Sequence, residues 1–207
     1  MKMSRLRARR NLPFKEKQSR FNYCDIPHLW HYFHKIDSFA RGSLHSDSPI
    51  SHAKDGRAFF RQSLIEEPWS SSFLEGAATT RERAQELIGQ NITPTNTHDK
   101  MVVNNFNALE FVKENRKQPL TPDLICHIQR VLTEETDIKP EFIGQWRQSH
   151  HRVVVEDSRT GDVLHMPPTA ETVPEWIESL CAFANGVDNA PENFIHPILR
   201  GIILHFM

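Results

Sequence analysis

One stretch breaks an otherwise helical pattern, and it constrains the fold more than any other. Val153-Val154-Val155 and Val163-Leu164-His165-Met166 are short β-prone runs. Between them Glu156–Asp162 is polar and contains Gly161. Two such runs around a polar, glycine-containing connection predict a β-hairpin with a flexible tip. Pro167-Pro168 closes it, since proline cannot extend a central ladder. No other strand pair emerges, so the expected fold is all-α with one hairpin.

Apolar residues elsewhere recur at three- and four-residue steps, the period of a helix with one buried face. Ile26, Leu29, Trp30, Phe33, Ile36 and Phe39 predict a helix over 26–40, followed by a Ser/His/Asp/Gly-rich loop over 42–56. A second helix is expected over 57–66, with Phe59, Phe60, Leu64 and Ile65. Thr79 with Glu82 three residues on reads as a capping box, and Gly89 as the end of that helix. Val102, Val103, Phe106, Leu109 and Val112 predict a helix over 99–114. Thr121-Pro122 is an N-cap followed by an N1 proline, opening a helix with Leu124, Ile125, Ile128, Val131 and Leu132. Thr172 is expected to cap a helix that ends before Gly186. Pro197 opens the last helix, whose Ile198, Leu199, Ile202, Ile203, Leu204 and Phe206 predict a central, buried element. His205 is expected within that core. The helix runs to Met207 without a capping signal, which predicts a chain cut inside its core and self-association through the bare last helix.

Composition removes several function classes. Charged residues make up 25% and the net charge is -1, so no global field points to nucleic acid or a membrane surface. The basic, polar start, residues 1 to about 20 with Lys2, Arg5, Arg7, Arg9 and Arg10, reads as a solvated, frayed terminus; a nucleic-acid regulator built on it is disfavoured by the neutral charge. Cys24, Cys126 and Cys181 are far apart and odd in number, which predicts reduced thiols and a cytoplasmic location. No apolar run is long enough to span a bilayer. His28, His31 and His34 share a helix face, but no carboxylate or cysteine is spaced to complete a metal site.

Three segments in order resemble a Fic-domain protein. Ser71-Ser72-Phe73-Leu74-Glu75-Gly76 is similar to the family's inhibitory motif. Gly144-Gln145-Trp146-Arg147, the hairpin and Met166-Pro167-Pro168 resemble its flap. Asn193 through Phe206 resembles the helix that precedes its catalytic loop. The resemblance covers about residues 57–207, after a partly helical N-terminal extension over 1–56. The six-residue motif alone is weak; the three segments in order are much stronger.

The resemblance implies AMP transfer from ATP to a Ser, Thr or Tyr hydroxyl of a target protein, with ATP and magnesium as cofactors of the complete family member. It implies a signature, His-Pro-Phe-x-(Asp/Glu)-Gly-Asn-Gly-Arg-x-x-Arg, that these 207 residues do not contain. His196-Pro197 is not its start, because Ile198 follows. No catalytic residue and no metal ligand is therefore assigned, and the chain is expected to be inactive by itself. Ser71, Glu75 and Gly76 are the implied inhibitory residues. Glu75 would pair with the signature's second arginine and hold ATP in an unproductive pose, since a bidentate Arg–carboxylate pair is strong and geometrically selective. Val153, Val154, Val155, Leu164 and His165 are the implied docking residues, pairing an extended target segment by strand addition. The competing expectation is an antitoxin-like protein that inhibits another Fic protein in trans; the flap and half a core are parts an inhibitor would not need.

Overall fold

Side-chain caps set where most of the helices begin. The computed structural model describes residues 8–16, 19–39, 65–151, 153–187 and 193–207. Helix α1 spans Pro27–Phe39, and α2 comprises the helical residues 65–74. Helix α3, Arg81–Gly89, starts after Thr80, whose side chain accepts the Arg83 N–H. Helix α4, Thr97–Asn115, starts after Asn96, which accepts the Asp99 N–H. Helix α5, Pro122–Thr133, is capped by Thr121 through the Leu124 N–H. Helices α6, Val173–Ala184, and α7, Pro197–Phe206, complete the helical set described. Each cap satisfies an amide that the first turn leaves unbonded.

Two of these starts differ from expectation, for one reason. Thr79 does not cap α3, because its hydroxyl is committed to Asp99; the neighbouring Thr80 caps instead. Thr172 makes no side-chain cap: its hydroxyl donates to the Thr169 carbonyl in a 3₁₀ turn, Ala170–Thr172. Further upstream, the loop expected over 42–56 and the apolar residues Phe59, Phe60 and Leu64 lie outside the described residues.

The described residues hold two antiparallel hairpins where one was expected. Strand β1, Arg9–Glu16, pairs with β2, Ser19–Cys24, with an irregular register between Asn11 and Lys15. From Arg9 on, the terminus expected to fray is instead paired strand, while residues 1–7 lie outside the described residues. Leu12 and Phe14 alternate with Pro13, so both point to one face and are buried. The ring of Phe14 stacks on Trp176 at 6.1 Å and meets Phe183 edge-on at 5.1 Å. Pro13 is tolerated because a two-stranded ribbon is all edge. The second hairpin is the expected one, shorter than read: β3, Val155–Glu156, pairs with β4, Val163–His165.

The chain divides into two compact units, one of residues 1–44 with 147–207, the other of residues 45–146. In the first, Leu12, Phe14, Phe183 and Ile203 form the core, with Trp176, Leu180 and Leu199 packed against it. In the second, Ala84, Leu87, Val102 and Ala108 are buried. Helix α7 is not the central buried element its composition predicted. Ile203 alone of its residues is fully buried, whereas Ile202 is half exposed and Phe206 is 81% exposed. His205 is exposed beside Phe206. The first unit's core reaches one side of α7 only.

Candidate functional site

Helix α2 delivers Ser71 on its last turn and stops at Glu75. The stop is a Schellman motif: the Ala77 N–H donates to the Ser72 carbonyl (2.9 Å) and the Gly76 N–H to the Phe73 carbonyl (3.0 Å). Gly76 takes φ +96°, a left-handed conformation that glycine adopts without a Cβ penalty. Its structural job is therefore to end α2. Glu75 is the C-cap residue, its N–H still bonded to the Ser71 carbonyl at 3.1 Å. Ser71, Phe73, Leu74 and Glu75 are all exposed, Leu74 to 84%.

This is an unfavourable place for a carboxylate. The C-terminal end of a helix carries partial negative charge, and an acid there loses about 0.3–1 kcal/mol relative to a neutral side chain. Among the described residues no hydrogen bond or ion pair engages the Glu75 carboxylate. Glu75 thus breaks a local rule with no compensating contact among the described residues.

The segment around Glu75 is fastened on both sides. Ser72 is buried; its hydroxyl donates to the Met101 carbonyl and accepts from Asn105 Nδ2, both at 3.3 Å. Glu66 forms an ion pair with Arg81. The Trp69 indole N–H donates to the Thr79 carbonyl at 2.9 Å. Beneath them Asp99, only 3% exposed, accepts from the Thr79 hydroxyl, from Arg83 Nε and Nη2, and from the Thr95 hydroxyl. A cavity of about 280 Å³ opens between Thr80, Arg83, Asn96, His98 and Asp99, where the first turns of α3 and α4 meet. Sequence reasoning missed this support. Asp99 in the first turn of α4 was the available signal, since acids are favoured there.

The hairpin lies in the other compact unit. Val153, Val155 and Leu164 are exposed, as is His165, and Val154 is half-buried. Val155 is opposite His165 in the ladder. The tip is closed by its own groups. The Asp157 N–H donates to the Asp162 carbonyl (2.9 Å), the Gly161 N–H to the Asp157 carbonyl (2.8 Å), and the Arg159 N–H to Asp157 Oδ1 (2.8 Å). At the base Arg147 donates to the Pro168 carbonyl and Ser149 to Glu171. The tip is a hydrogen-bonded turn, with Gly161 at φ +75°.

The Arg159 amide, and secondly its guanidinium, hold the Asp157 carboxyl below the usual range. A depressed value means that its contribution to the turn is complete above the unfolded-state value of about 3.9 and is lost as pH falls through the lower folded value. An NMR titration should give Asp157 a midpoint below about 3.9, with the Arg159 amide losing protection through that midpoint. A midpoint at or above that value would contradict the turn described.

His28, His31 and His34 are all exposed on α1, and among the described residues no group of three His, Cys, Asp or Glu side chains could hold a metal ion. Burial pushes the Cys181 thiol up, and burial followed by Asp123 does the same for Cys126. Among the described residues no helix is long and apolar enough to cross a membrane.

No family model matches this chain, and no curated protein does. A solved structure does: the crystal structure of a Fic-domain-containing signaling protein from Bacteroides thetaiotaomicron VPI-5482, at a TM-score of 0.62 and 20% sequence identity. The fold is Fic-like. The match covers 86% of this chain and 62% of that one, so this chain spans less than two thirds of its neighbour's length. A mostly helical Fic-like fold is what the three sequence segments predicted, with the hairpin of residues 155–165; the N-terminal hairpin was not expected.

Proposed function

We propose that this chain is the inhibitor- and flap-bearing portion of a Fic-type protein AMP-transferase, which moves AMP from ATP to a hydroxyl of a target protein. The observation that carries the reading is Glu75: an exposed, unpaired carboxylate at the wrong end of a helix, on a segment fastened to α4, in a chain with a Fic-like fold. Such a group is poised to receive an arginine from the nucleotide site and to misdirect the phosphates. Ser71 precedes it by one turn, and Gly76 ends the helix so that Glu75 stands at its tip. The hairpin supplies the second part of the reading. A target segment pairing with its exposed edge would be held with its hydroxyl fixed.

The test uses labelled ATP and magnesium. The 207-residue chain is expected to transfer no AMP, and the Glu75→Gly variant none either, because neither contains the signature. Transfer by either would overturn the assignment. The reading frame beyond Met207 is expected to encode His-Pro-Phe-x-(Asp/Glu)-Gly-Asn-Gly-Arg. In that longer protein Glu75→Gly should raise AMP transfer at least about tenfold, the effect of removing an interaction of roughly 1.4 kcal/mol. A frame without the run, or a Glu75→Gly variant no faster than its parent, would sink the proposal.

A further inference from the structure

The Glu75 segment is connected to Asp99 through one residue. Thr79 donates its hydroxyl to Asp99 Oδ1 at 3.3 Å, and its backbone carbonyl accepts the indole N–H of Trp69 at 2.9 Å. Trp69 belongs to α2, and its ring lies 6.0 Å from that of Phe73. Thr79 is therefore bonded on one side to the helix that presents Glu75 and on the other to α4. Asp99 is itself immobilised: Arg83 donates to Oδ2 from Nε (3.1 Å) and Nη2 (3.0 Å), and Thr95 donates to the same oxygen (3.3 Å). A buried carboxylate with both oxygens engaged has little freedom, and neither has a hydroxyl bonded to it.

The burial pattern of the connecting segment agrees. Ala77 and Thr79 are buried, and Glu75, Gly76, Ala78 and Thr80 are exposed. The chain from Glu75 to Thr80 is thus anchored at alternate residues and not draped over the surface. A loop held only by its ends would let a C-cap side chain wander by more than the fraction of an ångström that a two-pronged Arg–carboxylate contact tolerates.

We infer that Asp99 is a positioning residue: through Thr79 it fixes the segment carrying Glu75, and so sets how firmly that carboxylate can hold a partner arginine. This rests on the reading of Glu75 as the inhibitory group. The competing account is that the network only packs α3 against α4.

Native-state hydrogen exchange on the 207-residue chain separates the two. Thr79→Val keeps the shape of the side chain, removes one hydroxyl and leaves the Arg83–Asp99 pair in place. The amides of Glu75, Gly76 and Ala77 should then exchange about tenfold faster, the consequence of leaving one buried carboxylate oxygen without its donor. The α4 amides from Val102 to Ala108 should be unchanged. Thr79→Ser, which restores the hydroxyl, should return exchange to the parent rate. An equal acceleration across α4, or no acceleration near Glu75, would overturn the inference. The result is independent of the AMP-transfer assay. A Glu75→Gly variant that fails to activate the longer protein refutes the inhibitory reading alone; unchanged exchange in Thr79→Val refutes the positioning role alone.

Discussion

Phe14→Ala is expected to remove about 3–5 kcal/mol of stability, the range for deleting a large aromatic ring from a packed core. The ring is 2% exposed and sits between Trp176 and Phe183, so its loss removes buried area and two aromatic contacts together. The void would open beside Leu12 and Ile203, which belong to two different elements and cannot collapse onto it as a group. Urea denaturation would measure the loss, and the fluorescence of Trp176 should shift to the red as water reaches the indole. Phe21→Ala serves as the control. Phe21 also meets Trp176, edge-on at 5.7 Å, but is 36% exposed, and its loss should cost distinctly less. A Phe14→Ala variant within about 1 kcal/mol of the parent would mean that the N-terminal hairpin only decorates α6.

The hairpin that Phe14 anchors is also where the sequence was least legible. Leu12 and Phe14 give just one repeat of a two-residue alternation, Pro13 between them argues against a strand, and the surrounding arginines argue for solvent. What decides the matter is α6, more than 150 residues later, and no local pattern contains it. Capping is legible where the cap acts on its own helix, as at Thr121-Pro122, and illegible where a hydroxyl has a distant partner. Thr79 and Thr80 are adjacent threonines of equal local promise; only Asp99 separates their roles. Helix α7 failed differently. Its apolar composition predicts burial, but composition says what a helix can bury, not what lies beside it. Ser71, Glu75 and Gly76 were legible as a motif. That Glu75 would be a C-cap, opposed to the helix dipole, follows from the Schellman turn, which Gly76 signals once the helix is known to extend to Leu74.

Asp99→Ala should be strongly damaging in the second unit, and its size follows from what is left behind. Asp99 has a side chain 4% exposed, paired with an Arg83 side chain that is 29% exposed. Removing one member of a buried pair costs about 3–5 kcal/mol, because the other charge is left uncompensated. Arg83 can turn partly to water and to Glu86, at 3.1 Å, which argues for the lower end. Loss of two hydroxyl donors' acceptor and of a negative charge at the α4 N-terminus adds to it. The expected loss is about 3 kcal/mol, or roughly 6–12 °C in Tm for a chain of this size melting as one transition. A double replacement sharpens the claim. Arg83→Met combined with Asp99→Leu removes both charges and keeps apolar bulk, so it should cost less than the sum of the single changes. Strict additivity in that cycle, or an Asp99→Ala variant within about 0.5 kcal/mol of the parent, would show that the pair is a surface contact in effect. The damage from Asp99→Ala also explains why Thr79, and not Asp99, is the residue to change when the position of Glu75 is at issue. Losing the carboxylate loosens everything it holds, whereas losing one hydroxyl loosens a single strand of the tie.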